Sequence, residues 1–276
     1  MNEPLPPPPE NSLQRWAYDY VTSEQLARKT APGPLPDAGS MAADFPSLRI
    51  ARPGRPAELR VSAQKIKAPR GGALRDPKKR AALLHTFWHH ELQAAELMCW
   101  AVLAFPDTPL SFKRGLLGIC QDEIRHMQLY AAELARLDSG IGAFPVRDWF
   151  WARVPAAPSP AAFLAVMGLG FEAGNLDHTS RFAKQFRGFG DEQGARVQEQ
   201  VAHEEIAHVA FAAHWFRHFE GELSFARWCE ALPAPLSPMV MRGDPLARDA
   251  RAAAGLDERF LDALQRWQPT LASPGS

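Results

Sequence analysis

Two hexapeptides carry the residues best able to do chemistry: Asp122-Glu123-Ile124-Arg125-His126-Met127 and Glu204-Glu205-Ile206-Ala207-His208-Val209. Each contains Glu-x-x-His. On a helix, positions i and i+3 share a face, so each copy aims one carboxylate and one imidazole at the same point. Two such pairs, each joined by a Glu from another helix, make the six-ligand set of a dinuclear carboxylate metal centre. A single Glu-x-x-His arises by chance on a surface helix. Two copies on apolar helices, with matching partners at matching distances, are a specific signal.

The partners lie upstream of each copy. His89-His90-Glu91-Leu92-Gln93-Ala94-Ala95-Glu96 precedes the first, and Phe171-Glu172-Ala173-Gly174-Asn175-Leu176-Asp177 precedes the second. In both, an acid is followed five residues later by another acid. Glu91 to Glu172 is 81 residues, while Glu123 to Glu205 and His126 to His208 are each 82, which points to duplication of a helix pair. Phe105-Pro106-Asp107-Thr108-Pro109 should reverse the chain. Glu91 lies 16 residues before Asp107 and Glu123 lies 16 after, so the two are level in an antiparallel hairpin. Glu96 would sit about 7 Å off level at ~1.5 Å per residue. The same count about Gly188-Phe189-Gly190 favours Glu172 over Asp177. Leu84, Phe87, Glu91, Ala94, Met98 and Ala101 form one helical stripe that includes Glu91. The expected ligands are Glu91, Glu123, His126, Glu172, Glu205 and His208.

Four buried carboxylates need counter-charge. Two divalent ions supply it, and carboxylate with imidazole suits iron or manganese, with zinc possible. The absence of a Cys cluster argues against a structural zinc site. The alternative is a polar core network without metal. Around the ligands, Asp122 and Glu204 each precede a liganding Glu and are expected to hold the imidazoles crosswise, Asp122 with His208 and Glu204 with His126. Arg125 should lie near one of these acids, and Ala207 leaves its counterpart without one. Tyr130, four residues after His126, should be buried beside the centre. His85 and His89 share a face and read as packed under the N-terminal arm. His178 and His203 fall off the metal stripes.

The elements that must position these residues follow from apolar period and caps. Residues 1–10 are Pro-rich and expected to be disordered. A helix is expected from Asn11, as cap, to about Arg28. Residues 31–80 show no sustained period and read as an extended arm on the bundle. From Arg49 to Arg80 this arm has eleven Lys or Arg against two acids, so a polyanion such as RNA is an alternative partner. Long helices are expected at about Asp76–Phe105, Leu110–Leu137, Ser159 to before Gly188, and Asp191–Glu220. An aromatic-rich crossover spans Asp138–Pro160. Short helices around Pro233-Ala234-Pro235 and Ala247–Leu264, then a polar tail, complete the chain. The expected fold is all-α, with divisions at 1–75, 76–221 and 222–276.

The 276 residues, 46% hydrophobic, are enough for one bundle with additions. No apolar run approaches a membrane span, and the N-terminus does not read as a signal peptide. Cys99, Cys120 and Cys229 read as reduced core thiols of a cytoplasmic protein. The formal net charge is zero, so no global field draws in nucleic acid or membrane.

At the Glu-His copies, and at Leu84-His85…His89-His90-Glu91-Leu92-Gln93-Ala94 and Phe171-Glu172…Leu176-Asp177, the chain resembles an uncharacterised ferritin-like family, catalogued as a domain of unknown function. The resemblance covers about residues 45–265, including Arg52-Pro53-Gly54-Arg55-Pro56. It implies a ferritin-like four-helix bundle with one long crossover, an extended N-terminal arm and a C-terminal helical extension. Asp122-Glu123-x-Arg125-His126 also resembles the motif of bacterial multicomponent di-iron monooxygenases, from which the second copy departs at Ala207. Tyr130 matches the spacing of the radical tyrosine in the small subunit of class I ribonucleotide reductase, although the surrounding sequence does not. Ferritin-like tRNA hydroxylases are a further relative, given the basic arm. These likenesses imply an O2- or peroxide-activating di-iron oxidoreductase, with an unidentified small-molecule substrate and an electron-donor protein. Ferroxidation without organic substrate, RNA modification, and a scaffold with a structural metal site are the alternatives.

Overall fold

The computed structural model describes residues 6–37 and 45–269. Positions 1–5, 38–44 and 270–276, which include parts of the Pro-rich start, the arm and the polar tail, lie outside the described residues. Among the described residues the fold is all-helical, without strands; one parallel bridge joins Val61 to Val146. The chain forms two compact units, Met1–Pro155 and Ala156–Ser276.

The first unit is built on a helical hairpin. Helix α1 (Leu13–Thr22) and the short α2 (Leu26–Thr30) precede it. The hairpin itself is α3 (Pro77–Ala104) and α4 (Leu110–Arg136). Asp76 caps α3 by accepting from the Lys78 N–H, and Pro77 opens its first turn, where a missing N–H costs nothing. From Ala81 to Ala104, α3 is buried almost all round, because α1 packs on it as well as α4. The expected single helix from Asn11 is corrected in two respects. Ser12, not Asn11, is the cap, because Asn11 sits at φ 60°, outside helical space. The helix also breaks at Ser23, whose backbone is extended. Residues 6–10, expected to be disordered, are described, with Pro8 buried and the Pro9 carbonyl accepting from Ser12.

The arm is tied to this hairpin. The Ser47 hydroxyl donates to the Ala104 carbonyl, the Trp100 indole to the Ile50 carbonyl, and Arg49 lies over the Trp100 and Phe105 rings. Gly54 is essential to the approach: a Cβ there would lie 2.1 Å from the Thr22 carbonyl oxygen. Arg60 donates to the Ala143 carbonyl and Arg80 to that of Leu74. Beyond Val61 the arm is more open. Lys65, Lys67, Arg70, Lys78 and Lys79 are exposed, with no carboxylate partner among the described residues.

The second unit repeats the hairpin with an irregular first arm. Helix α5 (Pro160–Val166), capped by Ser159, runs into a π-helical segment, Met167–Glu172, and then into α6 (Ala173–Gly188). Gly190, at φ 79°, turns the chain into α7 (Glu192–Glu220), which Asp191 caps and Gly221 ends in left-handed backbone. Helices α8 (Phe225–Ala231), α9 (Arg248–Ala253) and α10 (Glu258–Arg266) follow. The expected helix from Ala247 to Leu264 is two, because Gly255 at φ 87° breaks it. Trp228, Phe225 and Phe260 form an aromatic cluster, and the Trp228 indole donates to the Ala165 carbonyl.

Candidate metal centre

Each unit gathers one triad of buried Glu and His side chains that could hold a metal ion. In the first, α3 supplies Glu91 and α4 supplies Glu123 and His126. One ligand atom from each lies within 4.8 Å of the others, and the His126 Nδ1 is 3.4 Å from Glu123 Oε2. In the second, Glu172 ends the π segment and α7 supplies Glu205 and His208. Their ligand atoms again lie within 4.8 Å of one another, with His208 Nδ1 3.0 Å from Glu205 Oε2. All six residues are nearly inaccessible to solvent.

The spacing fits a shared ion. Metal–nitrogen and metal–carboxylate bonds run about 2.0–2.2 Å, so two ligands at a right angle stand roughly 3 Å apart. The 3.0 and 3.4 Å gaps are of that size. Two carboxylates per triad also match the charge of one divalent cation, without which their burial is costly. The donors are hard oxygen and imidazole nitrogen, which suit iron, manganese or zinc. These buried Glu and His groups could therefore hold metal ions.

The second acids of the repeated pattern do something else. Five residues along a helix is about 140° round it, so Glu96 leaves the Glu91 face. Glu96 is buried and accepts from Lys29 Nζ at 2.7 Å, Arg55 Nη1 at 2.5 Å and the Trp151 indole at 2.9 Å. Burial pushes its carboxyl up, but Arg55 and Lys29 outweigh that and hold it below the usual range. Asp177 plays the same part in the second unit. It takes two hydrogen bonds from the buried Arg251, at 2.8 and 3.2 Å, and one each from the Gly243 and Ala247 N–H groups. Each thus anchors an extension: Glu96 the N-terminal arm, Asp177 the C-terminal helices.

The other expected site residues fall as follows. Asp122 and Arg125 are half-exposed and paired at 2.8 Å. Glu204 is partly buried and accepts from Gln200 at 3.2 Å. Tyr130 is buried, its ring 5.8 Å from that of Phe87. His203 is exposed and His178 partly buried. His89 is buried and meets Asp148 at 3.1 Å, while His85 Nε2 accepts from the Gly142 N–H at 2.8 Å. That acceptor nitrogen must be unprotonated. Burial, then His89 and Arg60, lowers His85 to about 4 from 6.5. The unfolded chain therefore binds the proton first, and stability should fall as pH drops from about 6.5 to about 4. Urea midpoints of the wild type and His85→Gln across that window check this. The variant should show a shallower pH slope, and equal slopes would refute the assignment.

Several participants were not legible beforehand. Lys29 and Arg251, fully buried cations, bond to acids 67 and 74 residues away. The π segment had one local sign, the glycines Gly168 and Gly170 in a helical stretch. A Cβ on Gly168 would lie 2.2 Å from the Ala212 Cβ, and one on Gly170 2.4 Å from Met241 Sδ, so both seat the segment that delivers Glu172.

From residue 11 to residue 262 the sequence matches the model of a family described as Protein of unknown function (DUF455). The chain belongs to this family. The match takes in both triads and both anchored extensions. No curated protein and no solved structure matched the chain. No helix among the described residues is long and apolar enough to cross a membrane.

Proposed function

We propose that the two triads are halves of one dinuclear centre in a ferritin-like bundle, and that the protein is an O2- or peroxide-activating oxidoreductase. The bundle helices would be α3, α4, the run from α5 through the π segment to α6, and α7. The observation that carries the reading is the repeat itself: two buried Glu/Glu/His triads whose Glu-x-x-His members are 82 residues apart. On this reading Glu91, Glu123 and His126 would hold one ion, and Glu172, Glu205 and His208 the other. Iron, or manganese, would supply the redox chemistry when bound. The chain holds the ligands rigid and keeps bulk water out through the apolar packing of α3 and α4. Asp122 and Glu204, with Arg125, are proposed to orient the imidazoles, and Tyr130 to border the site.

Metal analysis of protein purified without chelator should find two ions per chain. Glu91→Ala or Glu123→Ala should weaken binding of one ion, and Glu172→Ala or Glu205→Ala binding of the other. In the Mn(II)-loaded protein, paramagnetic resonance should show two coupled ions. Magnetically isolated ions, or none, would sink the dinuclear reading. A reduced iron-loaded sample should consume O2.

The open part of the arm favours one further reading, in which the substrate is RNA. Lys65, Lys67, Arg70, Lys78 and Lys79 are exposed within fifteen residues. Binding to RNA should then weaken steeply with salt, and charge reversal at Lys65 and Lys67 should reduce that slope. Salt-independent or absent binding would discard it.

A further inference from the structure

We infer that Asn175 is a positioning residue for one of the two metal ions, acting through Glu205. The inference rests on the dinuclear reading above and adds a residue that the ligand pattern does not contain. Asn175 Nδ2 donates to Glu205 Oε1 at 3.2 Å. An ionised carboxylate only accepts, so the amide must turn its NH2 to it, and the orientation is unambiguous. The other oxygen, Oε2, faces His208 Nδ1 at 3.0 Å. Glu205 is thereby held at both oxygens: one is fixed by the amide and the other is aimed at the point His208 also faces.

The local sequence shows the cost of this arrangement. Asn is a poor residue inside a helix because its side chain competes for backbone groups. Here Gly174-Asn175 puts two poor helix formers in succession, directly after the π segment that ends on Glu172. The Thr179 hydroxyl bonds back to the Asn175 main-chain carbonyl at 2.7 Å, while the side-chain amide goes to Glu205. Asn175 stands three residues after Glu172, one turn along the same face. Thus one helix supplies a ligand and, a turn later, the group that orients a second ligand from the facing helix. In the duplicated segment the residue three after Glu91 is Ala94, which has no polar side-chain atom. The amide is therefore a feature of one half only, and its effect should fall on one ion.

The test is a Mn(II) titration of chelator-treated full-length protein, with free Mn(II) read by paramagnetic resonance. Wild type should bind two ions. In Asn175→Ala the affinity for one of them should fall about 10- to 100-fold, the range for lost outer partners of metal ligands, with the other retained. Thr179→Val, which disturbs the same turn without touching the amide, should bind both as wild type does. The inference is overturned if Asn175→Ala binds two ions as tightly as wild type, or if Thr179→Val is weakened equally. Wild type that binds no ion would overturn the dinuclear reading and this inference with it. Two ions in wild type, with both affinities unchanged in Asn175→Ala, would remove this inference alone.

Discussion

Glu96→Ala is expected to destabilise the first unit by about 3–5 kcal/mol, the cost of stripping one partner from a buried ion cluster. Glu96 is the counter-charge for Lys29, which has no solvent exposure. Without it, Lys29 keeps the Tyr20 and Val21 carbonyls and the face of the Tyr20 ring, none of which carries a counter-charge. Arg55 keeps Asp148, and the Trp151 indole loses its acceptor. The removed carboxylate thus affects three elements at once: α2, the arm and the segment after α4. Urea unfolding followed by tryptophan fluorescence measures the loss. Glu96→Gln should cost less, since an amide can still accept from one cation and the indole. A shift below about 1 kcal/mol, the value of an exposed pair, would mean the cluster is solvated and the burial argument is wrong.

Asp177→Ala should have an effect of similar size on the second unit, about 3–5 kcal/mol by the same reasoning. It leaves the Arg251 guanidinium buried without a counter-charge and takes the acceptor from the Gly243 and Ala247 N–H groups. The local readout is protection of the 243–253 amides from hydrogen exchange, which should collapse before that of α7. Retained protection at Gly243 and Ala247 would show that something else holds the C-terminal extension. Arg251→Met offers a contrast. It leaves Asp177 buried without its cation but still held by the Gly243 and Ala247 N–H groups, and should cost less than Asp177→Ala, which leaves the guanidinium with no acceptor there.

Both predictions concern acids that the repeat placed beside the ligands without saying which was which. Counting residues from the turns selected Glu91 and Glu172, and these are the acids found in the buried triads. The count could discriminate because a helical hairpin with a short turn converts sequence distance into height at a fixed rise per residue. Helix limits were legible for the same local reason. Asp76-Pro77, Ser159-Pro160, Asp191 and Gly221 satisfy the end groups of the helices they bound, wherever the rest of the chain lies. The errors were local too. Asn11 looks like a cap by residue type, yet its left-handed backbone gives that role to Ser12.

The sequence by itself therefore determined the helical class and the long helices, and it singled out the Glu and His residues that lie in the buried triads. All of these rest on period, capping chemistry, spacing within a hairpin and the 82-residue repeat of Glu-x-x-His. Tertiary structure alone decided the partners of Glu96 and Asp177, the burial of Lys29 and Arg251, and the use of Asn175. A lysine in a short helix reads as solvated until another segment brings a carboxylate to it, because only the paired charge tolerates burial. An Asn inside a helix reads as a weak position until the facing helix supplies an acceptor. The π segment belongs to the same group: the close approach of Ala212 and Met241 is what makes glycine necessary at 168 and 170.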